Sequence, residues 1–336
     1  MLKFNSLQKS KQNLRLQFII TILSVVLFLV KIYAYYATHS LAILSDALEG
    51  IVNVIAGFIG LYSLYVASMP KDAEHPYGHG KAEFISAAAE GALIFAAGIF
   101  VVFETVSNIL HHEVLHSLDK GLWMVGATGM INAFAGSICI KIGKKNDSPA
   151  LKASGKHLLI DTYSTIAIIA GLVLMVFTNI LWLDKVIAFA MSFFIFYNGY
   201  KIIRGSLAGI MDEADTDLLN KFVALLNNER TENWVDLHNF RIIKYGSQLH
   251  IDCHLTVAWY LNVHEAHDQV DAIKEIFLKA FGESLELFVH TDGCMPFSCK
   301  VCLIQGCKFR EHSFEHKIEW TLENIISNKK HNDGNG

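Results

Sequence analysis

The chain has 336 residues, of which 52% are hydrophobic and only 18% are charged, and it contains just 4 prolines. Such an apolar composition indicates a membrane protein and argues against an ordinary soluble one. The formal net charge of −4 says little about function. We expect no nucleic-acid partner.

Stretches of about 20 mostly apolar residues, long enough to cross a bilayer, recur along the first part of the chain. We identify six of them: Leu16–Tyr36, Leu41–Val66, Phe84–Leu110, Leu122–Ile142, Leu151–Phe177 and Leu181–Ile203. After Gly209 the pattern changes to that of a soluble domain. The sequence therefore predicts an α-helical membrane protein, with six transmembrane helices over residues 16–208 and a short N-terminal segment, residues 1–15.

The basic residues predict the orientation. If the N-terminus is cytoplasmic, the inner segments hold most of the lysines and arginines, whereas the outer loops hold only Lys120 and Lys185. The positive-inside rule then places both termini in the cytoplasm. The first span has a basic flank like that of a signal peptide, but its apolar run is long and more spans follow. We therefore expect an uncleaved helix and an integral protein of the cell inner membrane.

Two of the spans each carry a pair of metal-binding side chains four residues apart. Glu49 and Asn53 lie in the second span, and His157 and Asp161 lie in the fifth. Residues i and i+4 share one helix face, so the two helices could surround one ion. Polar groups inside a bilayer are costly and usually mark a pathway. The alternative is a polar contact between helices, or a residue near the cytoplasmic end that reaches the interface.

Residues 209–293 predict a small cytoplasmic α/β domain. Hydrophobic periodicity indicates helix, strand, strand, helix and strand in the order Asp217–Arg230, Leu237–Lys244, Gln248–Val257, Val263–Phe281 and Leu285–His290. The two neighbouring strands are joined by the turn Tyr245-Gly246-Ser247. This order suits a ferredoxin-like (metallochaperone-like) fold.

Candidate metal ligands are frequent in this domain. Three alternate on the second strand and share one sheet face: His250, Asp252 and His254. Four more form a stripe on the second helix: His264, His267, Asp268 and Asp271. The alternative is a solvated polar face, and periodicity alone does not identify the true ligands.

A further set of candidate ligands lies between the second and third spans, in the loop Pro70–Glu83. It combines carboxylates with His75 and His79, and this donor set suits a borderline divalent ion such as zinc. Gly78 and Gly80 let the backbone fold the two histidines toward one point.

Three segments, taken in order, resemble the cation diffusion facilitators, a family of six-helix, homodimeric antiporters of divalent metals and protons. They are Ser40–Glu49, His75–Glu83 and His157–Asp161. The resemblance covers nearly everything up to Asp292. It implies a cation efflux transporter, not an enzyme, that works by alternating access in a homodimer. Zinc is the first expectation for the cargo, ahead of iron, manganese, cobalt or cadmium.

The resemblance also implies three groups of metal ligands. The transport site in the middle of the membrane falls on Glu49, Asn53, His157 and Asp161. An interfacial loop site falls on Asp72, His75 and His79. A cytoplasmic site, which in relatives binds two ions and helps to hold the dimer, falls on His238, His254, His267, His290 and Asp292. A divalent transition metal would then be both substrate and regulatory ligand, with protons as the counter-ion.

The transport site departs from the family pattern at two positions. Relatives usually have His or Asp in place of Glu49, and most have Asp in place of Asn53. Glu49, Asp161 and a neutral His157 still supply two negative charges for a divalent cation. The amide of Asn53 is a weaker donor, so the preference for zinc is loosened. Asp46 shares the helix face of Glu49 and is a candidate for an extra ligand or proton carrier.

The tail, residues 294–336, is rich in cysteine. Four cysteines follow the pattern C-x4-C-x2-C-x4-C: Cys294, Cys299, Cys302 and Cys307. In a reducing cytoplasm such a cluster indicates a metal site before disulfides. Zinc or Cu(I) on four thiolates is the first interpretation, an iron–sulfur cluster the second, and unligated thiols the alternative. Phe314–Asn328 predicts one amphipathic helix.

Two other classes of protein share parts of this pattern. An intramembrane metallohydrolase would use a metal beside an acidic group to activate water, but no H-E-x-x-H or nucleophile motif is present. A metal sensor or scaffold that binds ions without moving them remains open, because Asn53 weakens the transport site while the cytoplasmic ligands are complete.

Overall fold

The chain forms two compact units. The computed structural model describes residues 2–38, 41–110, 118–178, 183–282 and 284–331. Within the helices some side chains fall outside this description, those of residues 41–49 among them. The helical unit is Phe4–Met211, and the C-terminal unit begins at Asp212.

Long helices build the helical unit over its described residues. Their bounds are α1 Leu2–Thr38, α2 Leu41–Ala67, α3 Ala82–Leu110, α4 Leu118–Lys145, α5 Pro149–Thr178 and α6 Leu183–Ile210. Five of the predicted spans lie within these helices, and the sixth matches α6 from Leu183 onward. The segment before Leu16 is also helical, as the start of α1. Among the described residues, three stretches are long and apolar enough to cross a membrane: Lys9–Tyr33, Gly50–Ala67 and Ala82–Phe100.

Glycines let neighbouring helices of this unit approach closely. The pairs α3–α6 and α4–α5 pack along their lengths, and α2 contacts α5. A Cβ atom on Gly199 of α6 would lie only 2.6 Å from the backbone nitrogen of Phe95 on α3. Likewise, a Cβ atom on Gly155 of α5 would lie 2.8 Å from the side chain of Ile140 on α4. Small residues at such crossings are typical of packing inside membranes, and here they fix α5 beside α4.

The C-terminal unit contains a three-stranded mixed sheet and confirms the predicted order of elements. These elements are α7 Thr216–Glu229, β1 Asp236–Tyr245, β2 Gln248–Val257, α8 Val263–Phe281 and β3 Leu285–Gly293. The sheet order is β1-β2-β3, with β1 antiparallel and β3 parallel to β2. Gly246, at φ +59°, begins the two-residue turn between β1 and β2. Strand β3 runs three residues further than predicted and thereby includes Asp292.

One face of the sheet forms the hydrophobic core. Ile251, Cys253 and Leu255 of β2 are fully buried there, together with Phe222 of α7 and Phe277 of α8. Because side chains alternate along a strand, the residues between them point to the opposite face. The candidate ligands of β2 therefore lie on the face away from this core.

A bulge in β1 shifts the alternation of its side chains between the two faces of the sheet. His238 pairs with His254 and Arg241 pairs with Asp252, so two residues of β1 oppose one of β2. Asn239, at φ +52°, occupies the bulge. His238 can therefore share a face with His254 while Phe240 is buried in the core. The strict alternation expected from the sequence did not include this bulge.

The tail packs onto the C-terminal unit in a largely extended form, so the prediction of a helix over Phe314–Asn328 is wrong. Within that stretch only Leu322–Ile325 is helical, as α9. Trp320 is 1% exposed, and its backbone N–H and C=O both bond to the side-chain amide of Asn227 on α7. The guanidinium of Arg230 lies 4.0 Å from the centre of the Trp320 ring. These long-range contacts satisfy the polar backbone that a helix would otherwise satisfy internally.

Candidate metal centres

The first candidate centre lies between α2 and α5. Asn53 Nδ2 donates a 2.6 Å hydrogen bond to Asp161 Oδ2, and His157 Nε2 lies 3.8 Å from Asp161 Oδ1. His157 and Asp161 are 7% and 8% exposed. The other amide atom, Asn53 Oδ1, is buried and has no hydrogen-bond partner among the described residues. The structure thus brings three of the four predicted transport-site residues together, with oxygen and nitrogen donors around one point.

The side chains of Glu49, the fourth predicted ligand, and of Asp46, the candidate extra ligand or proton carrier, lie outside the described part of the chain. Glu49 and Asp46 both belong to α2, in the stretch 41–49. Glu49 lies four residues before Asn53, so the helical backbone places both on one face of α2.

Sequence reasoning missed a buried acid one helix away. Glu90 of α3 is 0% exposed, and Ser154 Oγ donates a 2.7 Å hydrogen bond to its Oε1. Its Oε2 has no hydrogen-bond partner among the described residues. Ser154 lies one turn before His157 on α5. An acid in the middle of an apolar span is the signal that could have identified Glu90, since such residues tend to be functional.

The second candidate centre is in the loop between α2 and α3. His79 Nε2 lies 3.3 Å from Asp72 Oδ2, and His75 Nδ1 lies 3.2 Å from Asp72 Oδ1. Gly78, at φ +91°, turns the chain between the two histidines, whose ring centres are 4.2 Å apart. Ligands 2.0–2.2 Å from a tetrahedral zinc lie roughly 3.4 Å from one another. The three predicted loop residues therefore stand at separations that suit one ion.

Asp72 holds this loop together in its ionised form. The backbone N–H of His75 donates a 2.6 Å hydrogen bond to Asp72 Oδ1. This bond, helped by the two imidazoles, lowers the pKa of Asp72 below its usual value. His79 is mostly buried while Asp72 and His75 are about half exposed, so the site opens to solvent on one side.

The third candidate centre crosses the open face of the sheet in the C-terminal unit. His238, His254 and His290 stand side by side on β1, β2 and β3, in register. Asp292, two residues further along β3, reaches all three. Its Oδ2 lies 3.6 Å from His238 Nε2 and 3.5 Å from His254 Nδ1, and its Oδ1 lies 3.5 Å from His290 Nε2. Four of the five predicted cytoplasmic ligands therefore meet at one carboxylate.

Two features suit this cluster to metal binding. Asp292 Oδ2 is buried and has no hydrogen-bond partner among the described residues, although two imidazole nitrogens face it. Burial lowers the pKa of His238, which favours the neutral imidazole that ligates metals. Such a set of nitrogen and oxygen donors is typical of zinc and similar divalent ions.

The structure leaves the other candidate histidines of this unit outside the cluster. His267 lies on α8, largely exposed, with its Nε2 3.7 Å from Asp271 of the same helix. His250 is buried further along β2, with its Nδ1 3.1 Å from Glu286. Because α8 packs against the core face of the sheet, His267 does not reach Asp292 within one chain.

The end of the chain supplies neighbours that the sequence did not indicate. Lys330 Nζ lies 3.7 Å from Asp292 Oδ1 and donates a 3.1 Å hydrogen bond to the carbonyl of Gly293. His331 bonds to the carboxylate of Asp236 through both its backbone N–H and its ring. Although burial opposes ionisation, these bonds lower the pKa of Asp236. The tail thus places an ammonium group and an imidazole beside the histidine cluster.

The four tail cysteines lie close together at the end of β3 and are all free thiols. They line one cavity, but they do not form a closed set of ligands. Within the described parts of the chain, three ligand atoms approach within 4.8 Å of one another only in Asp72–His75–His79 and His238–His254–Asp292.

Comparisons with known proteins define the family. The profile of the cation efflux transmembrane domain matches residues 17–211, and the profile of the cation efflux cytoplasmic domain matches residues 214–294. The chain therefore belongs to the cation efflux, or cation diffusion facilitator, family of membrane-embedded transporters. The resemblance found in the sequence is confirmed. The tail beyond residue 294 lies outside both profiles.

Several relatives are similar over most of the chain. The transporter sll1263 of Synechocystis is 30% identical over 244 residues, covering 73% of this chain and 79% of its own. The cation-efflux pump FieF of Pectobacterium carotovorum is 25% identical over 275 residues, covering 81% and 90%. The manganese efflux system protein MneS of Bacillus subtilis is 25% identical over 249 residues, covering 74% and 85%. Divalent cation efflux is therefore the activity of the group to which the chain belongs.

Proposed function

We propose that this chain exports a divalent transition-metal ion from the cytoplasm in exchange for protons. Zinc is the first candidate for the cargo, followed by iron, manganese, cobalt and cadmium. The observation that carries the proposal is the part-buried contact between Asn53 of α2 and Asp161 of α5, with His157 beside it. Two helices that share one set of donors can hold an ion between them and release it when their packing changes.

The proposed exchange uses one site for metal and protons in turn. Metal arriving from the cytoplasm binds deprotonated ligands, with Glu49 completing the set from α2. When the helices rock to expose the site outward, protons compete for His157 and the carboxylates and expel the ion. His157 is the preferred coupling group because an imidazole nitrogen can bind either a proton or the metal, but not both at once. Both termini lie in the cytoplasm in this scheme.

The C-terminal unit has a regulatory role in this proposal. Metal at the cluster around Asp292 would draw two such units together in a homodimer and favour one transport state. His267 lies outside the cluster on its own chain, and its exposed position on α8 leaves it accessible to a second copy. The loop site at Asp72, His75 and His79 is the third proposed metal site.

Flux through proteoliposomes tests the transport function. Purified full-length protein is reconstituted with a metal-sensitive dye inside the vesicles and a pH gradient across them. Zinc, iron, manganese, cobalt and cadmium are assayed in parallel. We expect uptake of at least one ion with opposing proton flow, abolished in Asp161→Ala. Asp147→Ala, at an exposed residue outside the site, is the matched control and keeps full flux.

The same experiment separates the transporter from a metal sensor or scaffold. The feature that favours the sensor is the neutral Asn53 in the transport site, together with an intact histidine cluster in the C-terminal unit. Ions that bind to the intact protein in calorimetry but do not cross the vesicle membrane would support the sensor and overturn the proposed transport.

A further inference from the structure

The four cysteines of the tail surround a single cavity. Its volume is about 40 Å³, and Cys294, Cys299, Cys302 and Cys307 all contribute to its wall. A cavity of roughly 10–15 Å³ already holds a water molecule, so a metal ion fits. Cys294 is the last residue of the cytoplasmic-domain profile, whereas Cys299, Cys302 and Cys307 lie outside both family profiles.

Three local backbone features bring the four cysteines to the cavity: the end of β3, a short helix and a turn. Cys294 follows β3 directly, and its N–H donates a 2.8 Å hydrogen bond to Val257 at the end of β2. A short 3-10 helix, Pro296–Lys300, carries Cys299, and Cys302 follows it. Gly306, at φ +73°, reverses the chain so that Cys307 returns to the cavity.

Arg310 fixes this arrangement from within the same wall. Its guanidinium donates hydrogen bonds to the carbonyls of Cys299 at 2.6 Å, Cys302 at 3.1 Å and Ile304 at 2.8 Å. These three hydrogen bonds hold the backbone of the segment that carries the Cys299 and Cys302 thiols. A divalent ion on four thiolates carries a net charge of about −2, and the positive charge of Arg310 offsets part of it.

Aromatic side chains enclose the other side. The ring centre of Phe309 lies 4.9 Å from that of Trp259 and 5.1 Å from that of Tyr260. Tyr260 therefore belongs to the aromatic cluster around Phe309, which itself lines the cavity. Groups around a metal's own ligands orient those ligands and tune the metal. The cavity therefore has four soft donors, one fixed cation and a partly apolar wall.

We propose that the tail binds one thiophilic metal ion, Zn²⁺ or Cu⁺, through Cys294, Cys299, Cys302 and Cys307. The thiols are held around the cavity but stand too far apart to be a closed site, so side-chain rotation closes them on the ion. Tetrahedral coordination by four sulfurs is typical of structural zinc sites, and Cu⁺ prefers the same donors.

This site is next to the histidine cluster along the chain. Cys294 lies two residues after Asp292, the carboxylate that joins the three histidines. An ion bound by Cys294 fixes the end of β3 and with it the position of Asp292. The tail ion therefore acts on the cytoplasmic cluster rather than on the transport pathway.

Metal content of the full-length protein tests the site. The protein is purified in detergent under reducing conditions, and its metal stoichiometry is measured by mass spectrometry. We expect Cys299→Ser/Cys302→Ser to lose about one ion per chain. The matched control Cys253→Ala, at a buried cysteine outside the cavity, keeps the full content. An unchanged stoichiometry in the double variant would overturn the site.

Two further measurements keep the test independent of how the variant folds and of transport. In the wild-type protein, bound metal should protect these four thiols from alkylation, and a chelator should expose them. Cobalt substitution should give the charge-transfer absorption of cobalt–thiolate bonds, lost in the double variant. Reactive thiols in the metal-loaded protein, or iron with acid-labile sulfide in place of a single ion, would contradict the proposal. Proteoliposome flux should persist in the double variant, because the tail cysteines are not ligands of the transport site. Loss of the tail site and loss of transport can therefore be told apart.

Discussion

The side-chain amide of Asn53 on α2 donates a 2.6 Å hydrogen bond to Oδ2 of Asp161 on α5. This bond satisfies a buried carboxylate oxygen while no cation is bound, and a second carboxylate at the same position would repel it. To ligate an ion, the amide must present Oδ1 instead. The contact therefore stabilises the pairing of α2 with α5 without metal and competes with binding.

Asn53→Asp should shift this balance toward the metal-bound form. Two carboxylates in contact repel one another, so the melting temperature in chelator should fall by a few degrees, while zinc should raise it more than in the wild type. Thermal shifts of the detergent-solubilised protein measure both effects. Asn132→Asp, at another buried asparagine of the helical unit, is the control. It should also lower the melting temperature, but added metal should not rescue it. A metal response unchanged from the wild type in Asn53→Asp would contradict a metal site at this contact.

Asp292 should be the most sensitive position of the histidine cluster. It reaches three histidines on three strands, so Asp292→Asn removes the one charge they share. We expect the affinity of this site for zinc to fall by about tenfold or more. Isothermal titration in a background of Asp161→Ala, Asp72→Ala and Cys299→Ser/Cys302→Ser isolates the site.

His267→Ala in the same background tests which histidines belong to the cluster of a single chain. The structure keeps His267 away from Asp292, so zinc affinity measured on dilute, monomeric protein should not change. Any loss should appear only where the protein dimerises. A large loss in the monomer would show that α8 contributes a ligand within its own chain.

Lys330 should act as a built-in competitor of the metal. Its ammonium group lies 3.7 Å from the carboxylate of Asp292. Because a positive charge at that distance opposes a divalent cation, Lys330→Ala should raise the zinc affinity of the cluster by roughly three- to tenfold. Lys329→Ala, at the neighbouring exposed lysine, should leave it unchanged. Equal zinc affinities in the two variants would mean that the charge of Lys330 does not oppose metal binding at the histidine cluster.

Many features of this structure could be predicted from the pattern of neighbouring residues in the sequence. The i, i+4 spacing of His157 and Asp161 predicts one helix face, and both residues are buried on it. Alternation on β2 predicts that His254 faces away from the core, and it does. Such features need only the periodicity of a helix or a strand, which neighbouring residues determine. Hydrophobic periodicity located α8 and β2 to the residue for the same reason.

The features that were not predictable depend on contacts between distant residues. The bulge at Asn239 is stabilised by a bond from its N–H to the carbonyl of Ser327, far along the chain. Trp320 is extended because Asn227 of α7 bonds to its backbone. Lys330 and His331 reach the cluster only after the tail has packed. In each case the deciding partner lies far away in the sequence, where periodicity carries no information.

Gly199 should be intolerant of any side chain because α3 and α6 touch there. A Cβ atom would lie 2.6 Å from the backbone nitrogen of Phe95, which cannot move without displacing α3. We expect Gly199→Ala to destabilise the protein by about 1–3 kcal/mol. Gly205→Ala on the same helix has open space around the new atom and should be neutral or slightly stabilising. Detergent-based thermal unfolding compares the two, and equal melting temperatures would contradict the close crossing.

Trp320 should make the tail a required part of the C-terminal unit rather than an appendage. The ring is 1% exposed and packs in the same core as Phe222 and Phe277, although it lies beyond the conserved-domain profiles. Removing so large a buried side chain typically costs about 3–5 kcal/mol. We expect Trp320→Ala to speed backbone hydrogen exchange in α7 and β1 of the full-length protein, because both elements lose the packing of the Trp320 ring against them. Phe314→Ala, at a half-exposed aromatic residue of the same tail, should not change exchange there. Protection of α7 that survived in Trp320→Ala would mean that the domain folds without the tail.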